Sequence, residues 1–299
     1  MSVSMMDRAV AAGFAAGWKL VPLLPERLTA KAFERMADRV WRGRGPAVRR
    51  LERNLSRVTG LKDEELRELS RRGMRSYFRY FHEVFRLPKM SAEEIERRTH
   101  VTGDENIWKT LESGRGVVLA LPHMGNWDQA GAWLAGRGQR FTTVAERLRP
   151  ESLFRRYTAF REGLGMEVLP LTGGPGHTVA VLASRLRRGG VVCLPAERDL
   201  TRHGIEVEFF GATTKVPAGP ALLAVQTGAA LLPAVIWFEG PDWAIRIHEE
   251  VPVPREGTRQ EKVAAMAQRL TEFFEKGIAE HPEDWHMLQR LWLDDLDPR

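Results

Sequence analysis

His123 and Asp128 lie five positions apart in the stretch Leu119-Ala120-Leu121-Pro122-His123-Met124-Gly125-Asn126-Trp127-Asp128. The apolar run over residues 116–121 predicts a buried strand, and Pro122 with Gly125 predicts a tight turn at its end. Strand ends carry chemistry in α/β folds, because the strand is rigid and the loop beyond it is open. A histidine with a carboxylate partner reads as a general base whose ring the carboxylate orients, so His123 is the candidate base and Asp128 its orienter. Three more polar clusters follow predicted strands. They are Glu146-Arg147, Glu197-Arg198-Asp199 and the turn Gly173-Gly174-Pro175-Gly176. In a parallel sheet these would share one edge. Carboxylates and arginines gathered in a dry site must pair with one another or meet an anionic ligand.

The elements that would position these groups follow from periodicity. Residues 1–100 read as helical, with apolar positions at three- and four-residue spacing over 28–41, 47–59 and 63–85. The acidic Asp63-Glu64-Glu65 suits a helix start. The aromatic and basic run from Tyr77 to Arg86 reads as a buried helix face, with lipid contact as the alternative. From residue 113 strands and helices alternate. Strands are expected at 116–121, 141–145, 168–171, 191–194 and 205–210, then a hairpin of 231–238 and 243–249 turned by Gly240-Pro241-Asp242. Helices are expected at 126–134, 150–164, 177–188, 217–227 and 259–280. The alternation predicts an α/β fold with a mainly parallel central sheet flanked by helices. No long linker or repeat divides the chain, so residues 1–299 read as one domain. Its N-terminal part (1–100) reads as helical, with a membrane-facing role as an expectation, and an α/β core over 113–299 holds the candidate site.

Composition narrows the classes. With 43% hydrophobic residues among 299, the chain has the makings of a packed core and not of a disordered segment. One cysteine, Cys193, excludes an intramolecular disulfide and fits a reducing compartment. The net charge of +6 suits anionic lipid headgroups, phosphate-bearing cofactors or nucleic acid, and does not choose among them. The apolar stretch 9–24 is interrupted by Lys19 and Pro22 and falls short of the roughly 20 residues of a bilayer span. Phe14, Trp18 and Leu20 beside Arg8, Lys19 and Arg27 suit a helix at a membrane surface, and packing on the core is the equal alternative.

No Gly-x-Ser-x-Gly elbow is present, and Cys193 sits inside an apolar strand, so neither a serine nor a cysteine nucleophile is expected. No GK[ST] or GxGxxG pattern supports a nucleotide fold. His177, His203, His248, His281 and His286 lack metal-ligand spacing, and His82 and His100 read as structural, so no metal and no cofactor is expected.

The spacing His123-x4-Asp128, with Pro122 before it and Gly125-Asn126-Trp127 inside it, resembles the glycerolipid acyltransferase motif. Ala145-Glu146-Arg147-Leu148-Arg149-Pro150, Ala159-Phe160-Arg161-Glu162 and Pro195-Ala196-Glu197-Arg198-Asp199-Leu200-Thr201 look like the lipid A-type branch of that family. Within the branch, the words at residues 123–131 and 204–211 are most similar to its phosphatidylinositol mannoside acyltransferases. The resemblance spans about residues 15–290. It implies transfer of a long-chain acyl group, palmitoyl foremost, from acyl-CoA as donor substrate to a mannose hydroxyl of a mannosylated phosphatidylinositol. It places the enzyme peripherally on the cytoplasmic face of the cell membrane, with no nucleic-acid partner.

By that resemblance His123 removes the hydroxyl proton, Asp128 orients it, and Glu146, Arg161 and Glu197 belong to the active centre. A Glu197–Arg161 pair is expected to position the acceptor or His123. The Gly125 and Asn126 amides and Arg161 are candidate oxyanion donors. Arg147, Arg149, Arg198 and Arg202 suit phosphate geometry, and His203 joins them as a candidate substrate contact. Two alternatives stay open: the same reaction with a lipid A-type (Kdo-lipid IV) acceptor, and a non-catalytic basic module that binds membrane or nucleic acid.

Overall fold

The computed structural model describes residues 5–147, 150–171, 178–199, 201 and 203–296. An N-terminal helical region comes first, with α1 (Met5–Leu20), α2 (Glu26–Arg42), α3 (Pro46–Thr59), α4 (Asp63–Arg86) and α5 (Ala92–Arg97). Then β1 (Thr99–Thr102), α6 (Glu105–Glu112), β2 (Val117–Leu121), α7 (Trp127–Gly136), β3 (Phe141–Ala145), α8 (Glu151–Gly163), β4 (Met166–Pro170), α9 (Thr178–Arg187) and β5 (Val191–Pro195) alternate. They are followed by β6 (Ile205–Phe209), β7 (Ala212–Val216), α10 (Gly219–Thr227), β8 (Ala230–Glu239), β9 (Asp242–Ile247) and α11 (Arg259–Glu280).

Seven strands form one sheet in the order β1-β9-β8-β2-β5-β3-β4, and only β8 and β9 run antiparallel. β2 is central and buried along its whole length, which its sequence Val-Val-Leu-Ala-Leu makes possible, since helices cover both faces. Alternation sends Val118 and Ala120 into the cluster under α9, α10 and α11, and Val117, Leu119 and Leu121 into the cluster on the α7 face. A Thr258–Glu261 capping box starts α11, which packs on the former face.

Two parts of the fold differ from the sequence expectation. β1 adds a four-residue parallel edge strand beside β9, in a stretch read as the end of the helical region. The strand near 205–210 does not join the main sheet. It pairs with β7, a polar alternating segment with no strong strand pattern, in a separate two-stranded hairpin. In α1 the aromatic side chains face inward: Phe14 lies 5.6 Å from the rings of Phe81 and Tyr157, and Trp18 5.3 Å from that of Phe85. Among the described residues no helix is long and apolar enough to cross a membrane.

Candidate active site

Strand register builds the centre of the site. β2 and β5 are paired with Leu121 opposite Pro195, so two residues further on His123 and Glu197 leave neighbouring strands side by side. His123 donates its backbone N–H to Glu197 Oε1 at 2.6 Å, and its Nδ1 lies 2.7 Å from the same oxygen. Glu197 is 1% exposed, whereas the His123 side chain is 43% exposed. A buried carboxylate at Nδ1 fixes Nδ1–H as the donor and leaves Nε2 unprotonated. Burial pulls the His123 pKa down, but the charge and hydrogen bond of Glu197 outweigh it, with Arg198 and Arg161 opposing, and hold it above the ordinary value.

The turn after β2 is held tightly. Gly125 takes φ +58°, and a Cβ there would lie 2.7 Å from the Ile236 carbonyl oxygen of β8, so only glycine fits. Asn126 caps α7 by accepting the Gln129 N–H at Oδ1, while its Nδ2 donates to Glu83 of α4. Asp284 O accepts the Gly125 N–H at 2.9 Å, and the His286 N–H donates to His123 O at 2.8 Å, so the C-terminal segment straps the turn.

Asp128 does not orient His123. It sits in the first turn of α7, 1% exposed, where Arg161 of α8 grips it with Nε 2.6 Å from Oδ1 and Nη2 3.3 Å from Oδ2. Tyr80 of α4 donates to Oδ2 at 2.7 Å. The expected pairing is therefore corrected: Glu197 meets His123, and Arg161 meets Asp128. The reason is geometric. Asp128 lies one residue into a helix that leads away from the strand end, while Glu197 lies at the matching level of the next strand. Burial lowers the Arg161 pKa, but the Asp128 charge more than offsets it and drives the value above ordinary.

A cavity of about 1070 Å³ opens beside these groups, lined at its polar end by His123, Glu146, Arg161 and Arg198. Its apolar lining on the α7 face of the sheet runs from Met166 on β4 past Leu119 and Leu121 on β2 to Ile247 on β9, and Leu182, Leu194 and Leu223 line it from the α9–α10 side. Five strand spacings separate β4 from β9, so this lobe is about 24 Å wide across the sheet. One leaflet of a bilayer's hydrocarbon core is about 15 Å thick, so the lobe has room for a whole acyl chain.

The remaining candidates are spread more widely. Arg198 lines the cavity and donates Nε to Arg290 O. Arg147 forms an exposed pair with Glu151 and is not among the lining residues. His203 is exposed near the β6 hairpin. Arg149, Arg202, His177 and the turn 173–176 lie outside the described residues. Of the expected oxyanion donors, the Gly125 amide is taken by Asp284 O, Asn126 is fully buried and does not line the cavity, and Arg161 lines it. Cys193 lines the cavity, but burial pushes its thiol well above the ordinary range, away from the thiolate a nucleophile needs.

Tyr80, Glu83, Ser76, Asp284 and His286 also support the site, though no motif marks them in the sequence. Ser76, Tyr80 and Glu83 recur at i, i+4 and i+7, one stripe of α4, and reach the strap, the first turn of α7 and the turn after β2 respectively. That polar stripe inside an aromatic helix was the available signal.

The sequence profile of the bacterial lipid A biosynthesis acyltransferases matches residues 2–294. The chain is similar to the phosphatidylinositol mannoside acyltransferase of Mycolicibacterium smegmatis, 48% identical over 285 residues that cover 95% of this chain and 91% of that protein. It is also similar to the protein of that name from Mycobacterium tuberculosis (strain CDC 1551), 49% identical over 286 residues, 95% of this chain and 88% of that one.

Proposed function

The chain belongs to the bacterial lipid A biosynthesis acyltransferase family, and from that premise we propose that it moves a long-chain acyl group, palmitoyl foremost, from acyl-CoA to a mannose hydroxyl of a phosphatidylinositol mannoside. The observation that carries the catalytic part is the His123–Glu197 contact at the mouth of an apolar cavity. The acceptor follows the names of the two similar mycobacterial proteins.

His123 Nε2 takes the proton of the sugar hydroxyl as its oxygen attacks the thioester carbonyl. Glu197 stabilises the imidazolium that forms. Arg161, which lines the polar end of the cavity, supplies positive charge toward the carbonyl oxygen as negative charge develops on it. Collapse breaks the carbon–sulfur bond, and the imidazolium returns the proton to the departing CoA thiolate. The acyl chain occupies the apolar lobe, and Arg198 with Glu146 borders the entrance where the polar parts of both substrates meet.

The acceptor is a membrane lipid, so the enzyme works at a bilayer surface. α2 supports this reading better than α1, whose aromatic face is packed inward. Leu28, Met36 and Val40 are exposed in one row of α2, and Arg27, Lys31, Arg35 and Arg39 form an exposed row beside it. Leu20, Leu23 and Leu24 extend the apolar row at the α1–α2 connection. Such a surface fits an anionic leaflet.

The test is mass spectrometry of products from purified protein, palmitoyl-CoA and two acceptors, a phosphatidylinositol mannoside and a Kdo-bearing lipid A precursor. Acylated mannoside with free CoA from the wild type, and none from His123→Ala, is the expected result. Acylation of the lipid A precursor alone, or full activity in His123→Ala, would overturn the reading.

A further inference from the structure

The strap that crosses the turn is itself fixed by a buried polar cluster outside the reacting groups. Asp284 closes a short 3-10 turn over Pro282–Asp284, and the chain then extends at Trp285, which is bridged antiparallel to Met124. Trp285 points into the core against Phe209 and Trp292. Asp284 and His286, two residues apart, both meet Ser76 of α4, whose Oγ lies 2.6 Å from Asp284 Oδ1 and 2.9 Å from His286 Nε2. Asp284 Oδ2 accepts the Phe238 N–H at 2.9 Å, so its carboxyl joins α4, β8 and the strap. All three side chains are more than nine-tenths buried.

From this geometry we infer that Ser76 and Asp284 are positioning residues for His123, acting through the strap's two backbone hydrogen bonds to the turn. The inference rests on His123 being the base. Burial raises the Asp284 carboxyl to about 6, with Glu283 adding to the rise and Ser76, the Phe238 amide and Arg79 opposing it, so at neutral pH it is the ionised acceptor. Burial lowers His286 to about 3, which keeps it neutral. The Ser76 hydroxyl then donates to Asp284, and His286 Nε2–H donates to Ser76. A directed chain of this kind holds the strap at one height, and the strap holds the His123 carbonyl and the Gly125 amide.

The consequence appears at Nδ1. His123 is raised by its short contact with Glu197, so a turn free to drift loses part of that rise. The charged or titratable groups facing His123 are Glu197 and Arg198 beyond β5, Arg161 of α8 and His286 of the strap.

The experiment compares Ser76→Ala, Ser76→Thr and Asp284→Asn with wild type in the acyl transfer assay, using folded protein quantified by thermal unfolding. We expect kcat to fall about tenfold in Ser76→Ala and Asp284→Asn, with the KM for palmitoyl-CoA within about twofold of wild type, since the apolar lobe is untouched. We expect the acid limb of the pH–rate profile to move to lower pH in both, and Ser76→Thr to restore rate and limb. An unchanged kcat and limb in well-folded Ser76→Ala, or a loss of stability with normal activity per folded molecule, would overturn the inference. His123→Ala serves as the control. If it is inactive while the Ser76 and Asp284 variants are normal, only this inference fails; if it is active, the base assignment fails as well.

Discussion

His123 Nδ1 contacts Glu197 at 2.7 Å, while Asp128, five positions downstream of His123, is bound to Arg161 and Tyr80. The motif spacing thus joins two residues with separate tasks. Glu197 sets the tautomer and charge of His123, the proposed base. Asp128 ties the start of α7 to α4 and α8.

Asp128→Asn should act first on stability. Asp128 is 1% and Arg161 16% exposed, so removing the charge leaves a largely buried guanidinium without its counter-charge. Breaking such a pair costs about 3 kcal/mol or more. Thermal unfolding should show a lower midpoint for Asp128→Asn than for Glu197→Gln, and an equal or smaller loss would contradict the assignment.

Cys193→Ala should leave acyl transfer within about twofold of wild type, since direct attack by the acceptor needs no acyl-enzyme. The check is steady-state kinetics together with intact mass after mixing with palmitoyl-CoA alone. A stable acyl adduct lost in the variant would contradict direct transfer.

Gly131 of α7 lines the cavity, and a Cβ there would come 2.5 Å from Met166 Cε and 3.0 Å from Phe141 Cζ. Gly131→Leu should narrow the lobe toward β4. The expected result is a fall of about tenfold or more in kcat/KM for palmitoyl-CoA relative to a ten-carbon donor. An unchanged chain-length profile would place the acyl chain elsewhere.

Removing the charges of Arg35 and Arg39 should weaken binding to vesicles that contain anionic phospholipid. Each basic residue near such a surface contributes about 1 kcal/mol, so the double alanine variant should bind about thirtyfold more weakly at low salt. Vesicle sedimentation checks this, and equal binding would remove α2 from the contact surface.

Much of the fold was legible because its signals are local. The buried run of β2, the strand–helix alternation and the Gly240 hairpin turn each lie within a few residues. β1 was hidden because a four-residue edge strand needs only its neighbour β9, about 140 positions away, to be stable. The candidate residues were legible as types at strand ends, but their partners were not. The His123–Glu197 contact depends on the β2–β5 register, and the Asp128–Arg161 pair on how α8 docks against α7. Neither register nor docking is encoded in spacing along one segment. The same holds for Asp284 and His286, which reach the turn from the far end of the chain.

The most direct test of the account is the pH dependence of kcat/KM for wild type, Glu197→Gln and Asp128→Asn. His123 must be neutral to accept a proton, so the rate falls as pH drops through its raised pKa. Glu197→Gln removes the attraction that favours the imidazolium while burial persists. The account predicts an acid limb moved to lower pH and a rate reduced about 10²-fold or more in that variant, with the limb of Asp128→Asn in its wild-type place. A limb that moves in Asp128→Asn and stays put in Glu197→Gln would contradict it.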